Sequence, residues 1–145
     1  MPQQGKAGSR ENTMTMQETE KSILDDLAEL GDILSRSELL IRLGKRFEGI
    51  PQAERSEADL IKNCQTTTWV ECRWENDTLK MRSDSQSLLV KGALALIDEI
   101  YNGRSKSEVA GFNCTLLKEE SFYSLFSERQ RLGMKSIIEK LSVIN

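Results

Sequence analysis

The amino-acid sequence predicts an α+β fold with two N-terminal helices, a three-stranded antiparallel sheet, and then several helices packed on one face of the sheet. Two changes in apolar periodicity carry this prediction. Apolar residues recur every three or four positions before residue 50 and again after residue 87, as in amphipathic helices. Between these regions apolar and polar residues alternate, which indicates half-buried strands. Helices that precede and follow a run of strands in the sequence are expected to pack as a layer on the sheet.

Two apolar stripes indicate the N-terminal helices. The first stripe consists of Ile23, Leu24, Leu27 and Leu30. The second consists of Leu39, Leu40, Leu43 and Phe47. Gly31 lies between them and is a suitable stop, because glycine readily adopts the left-handed conformation that ends helices. Residues 1–17 are mostly polar and show no such periodicity, so we expect a disordered tail there and a single domain over residues 18–145.

Three strands are predicted between the helical regions. The first is the short run Leu60–Lys62, and the second is the alternating run 70–74. The third covers residues 79–82, after the turn residues 75–77. In this meander, residues 63–66 form the turn between the first two strands.

Helical periodicity returns in the C-terminal third. The apolar positions of the long helix there are Leu88, Leu89, Ala93, Leu96, Ile97 and Ile100. Asp84 or Ser85 is expected to cap its start, and Gly103 is expected to close its end. A shorter helix is predicted over 107–111, and Ser127 is expected to cap a final helix.

Composition excludes several classes of function. The net charge is −3, whereas nucleic-acid-binding surfaces need clustered lysine and arginine. No apolar run approaches the roughly 20 residues of a membrane span. The first residues lack the apolar stretch of a signal peptide, so we expect a cytoplasmic protein. In that compartment the three cysteines are expected to be free thiols.

The absence of histidine narrows the chemistry further. Ser-His-Asp and Cys-His catalysis cannot be built from this chain, and neither can metal sites with imidazole ligands. Cysteine, carboxylate, lysine and backbone chemistry remain. We expect no metal and no cofactor on this chain.

The three cysteines occupy different contexts. Cys72 lies on the apolar phase of its strand, and Cys114 lies near the start of a helical region, so both are interpreted as packing residues. Cys64 lies in a polar turn, where Lys62 and free backbone N–H groups can stabilise a thiolate. Residues alone leave Cys64 open between a functional thiol and an inert turn cysteine.

Three segments resemble the SufE family. The segment Asn63-Cys64-Gln65-Thr66-Thr67-Thr68-Trp69 resembles the family's cysteine loop, which reads roughly Gly-Cys-Gln-Ser-x-x-Trp. The segment from Asp84 to Gly92 resembles the Asp-Ser-x-x-x-x-Val-Lys-Gly stretch that opens the family's long helix. The segment Arg131-Leu132-Gly133-Met134 resembles the Arg-x-x-Gly-Leu/Met segment that opens its last helix. The three segments occur in the family's order.

The resemblance implies a function for Cys64. SufE-like proteins accept sulfur from the persulfide of a pyridoxal-phosphate cysteine desulfurase, raise its turnover, and pass the sulfur to a cluster scaffold. On this reading Cys64 is the persulfide acceptor, the partners are a desulfurase and a downstream scaffold, and the chain is a monomer or homodimer. The residues expected to contact the partner are Lys62, Gln65, Thr66, Lys91 and Arg131.

The sequence also departs from the family pattern. Asn63 stands in place of the usual glycine, and asparagine tolerates left-handed backbone geometry better than most residues, so we expect the turn to be kept. Thr66 replaces serine and keeps the hydroxyl group. Arg129 and Arg131 lie four and two positions before Gly133, whereas the family has its arginine three before.

Two other functions are weighed against sulfur acceptance. An iron–sulfur or zinc scaffold of related fold normally needs three or more thiolate or imidazole ligands, and this chain offers only three cysteines. A thiol-redox domain normally carries a Cys-x-x-Cys pair, which is absent. The scaffold is the stronger of these two alternatives.

Overall fold

The computed structural model describes residues 14–143 of the 145-residue chain. These residues form an α+β fold, as predicted, with a two-stranded antiparallel sheet. The helices are α1 (Met16–Leu30), α2 (Ile33–Arg46), α3 (Leu88–Tyr101), α4 (Lys106–Ala110), α5 (Glu120–Tyr123) and α6 (Glu128–Ser142). The strands are β1 (Thr68–Glu75) and β2 (Thr78–Ser85). Short 3₁₀ turns lie at Gln52–Glu54, Glu57–Asp59 and Leu116–Lys118.

Helix α1 begins earlier than predicted. Thr15 accepts a hydrogen bond from the Glu18 amide, and the Glu18 side chain accepts one from the Thr15 amide, so the two form a capping box. Met16 is then 2% exposed and belongs to the core. The tail prediction is therefore wrong for residues 16 and 17, while residues 1–13 lie outside the described residues. Gly31 ends the helix with a φ of 83°, as its sequence position predicts.

The predicted first strand at Leu60–Lys62 is wrong. Leu60 forms only an isolated antiparallel bridge with Trp69, and the Ile61 amide donates to the Thr68 carbonyl at 3.0 Å. A 3₁₀ turn ends at Asp59, and Asn63 has a left-handed φ of 67°. Only three residues lie between these two turns, fewer than the roughly five or six that are most common in a strand.

Helix α3 lies at the centre of the fold, against α2 and β2. Glycines allow α2 and α3 to approach closely: a β-carbon on Gly92 would overlap the Leu40 backbone, and one on Gly44 would overlap the Leu88 backbone. Eight of the fourteen residues of α3 are buried. On β2, Leu79 and Met81 point into the same core. This packing fixes the position of the β2–α3 connection, which lies beside the cysteine loop.

The caps of the later helices confirm one prediction and contradict another. Ser127 forms a capping box with Gln130 at the start of α6, which confirms the predicted start of that helix. Helix α3 is capped by Ser87, whose side chain accepts from the Val90 amide. The prediction that Asp84 or Ser85 caps α3 is wrong, because both still belong to β2.

Candidate functional site

The candidate site is the loop of residues 61–67, which carries Cys64. The loop is closed at its base, where the Ile61 amide bonds to the Thr68 carbonyl. Asn63 turns the chain with its φ of 67°, in the region that glycine and asparagine adopt most readily. The expectation that Asn63 keeps the turn is therefore confirmed.

Cys64 packs against helix α6. A β-carbon on Gly133 would lie 2.5 Å from Cys64 Sγ and 3.1 Å from Cys64 Cα, so only glycine leaves room for the cysteine there. The side chain of Cys64 is half-buried as a result. The third sequence segment thus supplies the wall on which the cysteine of the first segment rests.

Hydrogen bonds from hydroxyl groups hold the loop in place. The buried Thr68 hydroxyl donates to the Thr66 carbonyl at 2.9 Å and lies 3.0 Å from the Ser85 hydroxyl. On the other side, the Ser127 hydroxyl donates to Gln65 Oε1 at 3.3 Å, which joins the loop to the start of α6. Strand β1, the end of β2 and helix α6 therefore all position Cys64.

The three thiols differ in acidity and in packing. Burial raises the pKa of the Cys64 thiol, and the nearby Thr68 hydroxyl acts in the opposite direction. Burial raises the pKa of Cys72 to about 11 and the pKa of Cys114 to about 12. Cys72 and Cys114 both pack against the hydrophobic core, whereas Cys64 lies in a polar loop outside it. The thiolate chemistry of this chain is therefore most accessible at Cys64.

The residues expected to contact a partner differ in their exposure and in their contacts within the chain. Lys62 and Gln65 are exposed beside Cys64, and Thr66 is half-buried in the same loop. Lys91 lies on α3 and forms an ion pair with Asp84 at 3.3 Å. Arg131 donates through Nε to the Tyr123 and Phe126 carbonyls, at 3.0 and 3.1 Å. Lys91 and Arg131 thus have structural contacts within the chain.

Asp84 is a residue whose role sequence reasoning missed. Its side chain is 3% exposed and accepts hydrogen bonds from the Ile50 and Ser85 amides, each at 2.8 Å. Arg55 completes the cluster with an ion pair at 3.0 Å and stacks its guanidinium over the Trp69 ring at 4.6 Å. Asp84 therefore links residues 50–55 to the end of β2, while Arg55 contacts Trp69 on the strand that leads out of the cysteine loop. These residues are far apart in the sequence, so only the fold could have revealed the contacts.

Two kinds of feature are absent from the described residues. Across residues 14–143, no three or more cysteine, aspartate or glutamate side chains are grouped as ligands of one metal ion. In the same part of the chain, no helix has both the length and the apolar character needed to cross a membrane.

Comparison with known proteins identifies the family. The model of the SufE Fe–S metabolism associated domain matches residues 21–144. The chain belongs to the SufE family. This confirms the resemblance carried by the three sequence segments, and it agrees with the contact between Cys64 and Gly133 in the structure.

Individual relatives agree with this family. A SufE-like protein of Rhizobium etli, which is uncharacterised, is 23% identical over 124 residues, covering 82% of this chain and 84% of the relative. The cysteine desulfuration protein SufE of Wigglesworthia glossinidia brevipalpis is 33% identical over 75 residues, covering 51% of this SufE-family chain and 52% of the relative. The solution structure of a hypothetical protein from Thermus thermophilus has the same fold, with a TM-score of 0.69 at 19% identity, and the match covers 86% of this chain and 90% of the other.

Proposed function

We propose that this protein accepts sulfur on Cys64 from the persulfide of a pyridoxal-phosphate cysteine desulfurase and passes it to the scaffold on which iron–sulfur clusters are assembled. The observation that carries the proposal is the placement of Cys64. Unlike Cys72 and Cys114 it does not pack against the hydrophobic core, it stands at the cysteine position of the SufE motif, and it is held against Gly133 of the third motif segment. One relative is itself named a cysteine desulfuration protein. We place this reaction in the cytoplasm.

The transfer is a thiol exchange that conserves charge and oxidation state. The Cys64 thiolate attacks the outer sulfur of the desulfurase persulfide and forms a new sulfur–sulfur bond. The original sulfur–sulfur bond breaks, and the desulfurase cysteine leaves as a thiolate, which takes up a proton from solvent. Cys64 then carries the outer sulfur as a persulfide. The step needs no oxidant or reductant.

The surroundings of Cys64 suit this chemistry in two ways. The thiol must lose its proton before it attacks, and the Thr68 hydroxyl offsets part of the opposing effect of burial. Half-burial against Gly133 shelters the persulfide that results, and sheltered sulfur is less exposed to oxidation.

A desulfurase is expected to dock on the surface around the loop. Lys62 and Gln65 are exposed there. Two large apolar side chains next to the site are also exposed, Leu60 at 42% and Leu132 at 53%. Exposed apolar groups with a polar rim are typical of protein-binding surfaces. A side-chain contact from Ser127 to Gln65 ties the loop down, and docking can replace it.

Mass spectrometry after incubation with a desulfurase and cysteine tests the proposal. We expect the mass of one or more added sulfur atoms on the peptide that contains Cys64, and none on the peptides of Cys72 and Cys114. In the same assay Cys64→Ser should abolish both sulfur loading and stimulation of desulfurase turnover. Cys72→Ser and Cys114→Ser are matched controls and should retain both. Full stimulation by Cys64→Ser would overturn the acceptor role.

A further inference from the structure

A second concave site lies on the outer side of β2, away from β1. It is a cleft of about 420 Å³ between residues 47–51, the edge of β2 that faces away from β1, and helix α3. Cys64 does not line it. The volume lies within the range of about 300–1,000 Å³ that is usual for small-ligand sites.

Hydrogen bonds fix both walls of the cleft. On one wall the Asn102 side chain pairs with the Met81 backbone as a neighbouring strand would, accepting from its amide at 3.0 Å and donating to its carbonyl at 3.1 Å. On the other wall the Ile50 amide is held by Asp84 at 2.8 Å. Contacts within the chain therefore hold both walls of the cleft.

Ser83 has polar groups that form no hydrogen bond with any side chain in the described part of the fold. Its hydroxyl is fully buried and has no hydrogen-bond partner among residues 14–143. Leu79 and Met81 direct their backbone groups to the outer edge of β2, where they bond to residues 102–104. Alternation along an antiparallel strand directs the Ser83 backbone to the same edge, facing the cleft. Buried polar groups without partners are rare in folded proteins.

Two acidic groups of the cleft, Asp98 and Glu48, are not neutralised. Asp98 accepts a hydrogen bond from Asn102 at 3.0 Å and has no ion pair among the described residues. Glu48 is exposed at the rim and likewise has no ion pair in the described part of the chain. Arg82 is the cation of the lining, and its guanidinium already binds two carboxylates, Glu71 at 2.8 Å and Glu54 at 2.6 Å.

Apolar side chains complete the lining. Phe47, Pro51 and Met81 lie along the cleft. The free polar groups are thus the carboxylates of Asp98 and Glu48 together with the Ser83 hydroxyl and backbone groups, and the remaining wall suits a hydrocarbon stem. This combination selects a ligand that carries a positive charge at the end of a short apolar chain.

We propose that this cleft binds an organic cation, a primary ammonium or guanidinium group on a short aliphatic stem. The cation contacts Asp98 and donates to the Ser83 hydroxyl, while the stem packs on Phe47 and Met81. Such a group can come from a free small amine or from a basic side chain of another protein. The site goes beyond sulfur acceptance, since Cys64 has no part in it.

Amide NMR titration of the full chain tests the site directly. The probes are n-butylammonium and n-butylguanidinium, with n-butanol and butyrate as neutral and anionic controls of similar size. We expect saturable shifts of the Met81, Ser83 and Asn102 amides with the two cations only. N-acetyl-lysine methylamide serves as a further probe: binding as strong as that of n-butylammonium indicates that a protein side chain can enter, and weaker binding indicates a free amine.

Variants identify the groups that bind. Asp98→Asn keeps an oxygen for the Asn102 bond but removes the charge, so affinity for n-butylammonium should fall about tenfold. Ser83→Ala should also weaken binding, and it should fold normally because the hydroxyl it removes has no partner among the described residues. Asp25→Asn, at an exposed position of α1, is the matched control and should bind as the parent does.

The pH dependence provides a second readout. Burial raises the pKa of Asp98 to about 6, with the Asn102 hydrogen bond lowering it and the neighbouring Glu99 raising it. Glu48, Glu54 and Arg82 line the same cleft from the other elements. Affinity for n-butylammonium should therefore fall as the pH is lowered through about 6. The proposal is overturned if the cations give no saturable shifts, if n-butanol shifts the same amides equally, or if Asp98→Asn binds as tightly as the parent.

Discussion

Cys64 and Gly133, which are 69 positions apart in the sequence, are in direct contact. Cys64 occupies the space that a side chain at position 133 would fill. A β-carbon at position 133 would lie 2.5 Å from Cys64 Sγ. Gly133 is also a buried residue of α6, a position where alanine would ordinarily be the better helix former. The contact therefore explains why this helix position is occupied by glycine.

Gly133→Ala should move Cys64 out of its resting position. Alanine would ordinarily stabilise a helix by about 1 kcal/mol relative to glycine. Overpacking against Cys64 costs about 1–3 kcal/mol, so we expect a net loss of stability and faster alkylation of Cys64 by iodoacetamide. Urea denaturation and the alkylation rate measure the two effects.

Gly111→Ala is the matched control for this substitution. Gly111 has a φ of −89°, and a β-carbon there would make an ordinary contact of 3.5 Å with the Ser107 carbonyl. Its stability and alkylation rate should be close to those of the parent. The packing argument fails if Gly133→Ala is more stable than the parent and its Cys64 reacts no faster.

Thr68→Val should make Cys64 less reactive near neutral pH. Burial raises the pKa of the Cys64 thiol, and the Thr68 hydroxyl offsets part of this effect by lowering it. Loss of this stabilisation should reduce the thiolate fraction of Cys64 and slow its alkylation severalfold. The pH profile of alkylation should shift to higher pH in the variant.

Thr68→Ser separates the hydroxyl from the shape of the side chain. It keeps the hydroxyl that bonds to Thr66 and Ser85, so its alkylation profile should lie near that of the parent. Equal profiles for the valine variant and the parent would show that the hydroxyl has no effect on the sulfur.

Limited alkylation of the parent protein should modify Cys64 first. Burial raises the pKa of Cys72 to about 11 and that of Cys114 to about 12, so both thiols are almost fully protonated at neutral pH. Cys64 lies in a polar loop and is assisted by Thr68. Peptide mass spectrometry at increasing times gives the order of modification. Early modification of Cys72 or Cys114 would contradict this assignment.

Asp84→Asn should lower the stability of the fold at neutral pH. It should also reduce the loss of stability that occurs as the pH falls. Burial raises the pKa of Asp84, but hydrogen bonds from the Ile50 and Ser85 amides and the charge of Lys91 lower it by more, so the pKa lies below its ordinary value. Removing one partner of a buried ion pair costs about 3 kcal/mol, and urea denaturation at neutral pH measures that loss.

The pH dependence of this loss follows from the sign of the shift. A carboxyl group whose pKa is lower in the folded state stabilises the protein above its ordinary pKa of about 3.9, and that contribution is lost as the pH falls through the folded value. The parent should therefore lose more stability than Asp84→Asn between neutral and acidic pH. Asp25→Asn, with its exposed ion pair to Lys21, should behave as the parent does. Parallel stability curves for Asp84→Asn and the parent would contradict the assigned role.

Local signals in the sequence predicted much of the fold. Ser127 and Gln130 form the expected cap of α6, Gly31 ends α1, and alternation marks the run that becomes the core of β1. These features depend on backbone preferences and side-chain bonds that reach only a few residues, so a single sequence contains the information they need. The same reasoning identified Asn63 as a residue able to take the left-handed turn.

The candidate site was only partly predictable. Its cysteine could be chosen because Cys64 alone lies in a polar turn at a family motif, whereas the roles of Asp84 and Arg131 could not be read from their neighbours in sequence. Asp84 looked like a helix cap but is buried beneath Ile50, and Arg131 bonds to carbonyls at the end of α5. Such roles depend on partners 5 to 34 positions away.

The sequence by itself determined the family and the order of the helices, and it predicted which cysteine reacts. Tertiary structure decided that Leu60–Lys62 is a bridge rather than a strand, that Gly133 forms the wall behind Cys64, and that Ser83 and Asp98 face one cleft. The physical reason is the separation in sequence over which each kind of interaction acts. Caps, turns and alternation act between near neighbours, whereas burial and close contact between distant residues exist only once α3 and α6 have packed against the sheet and its loop.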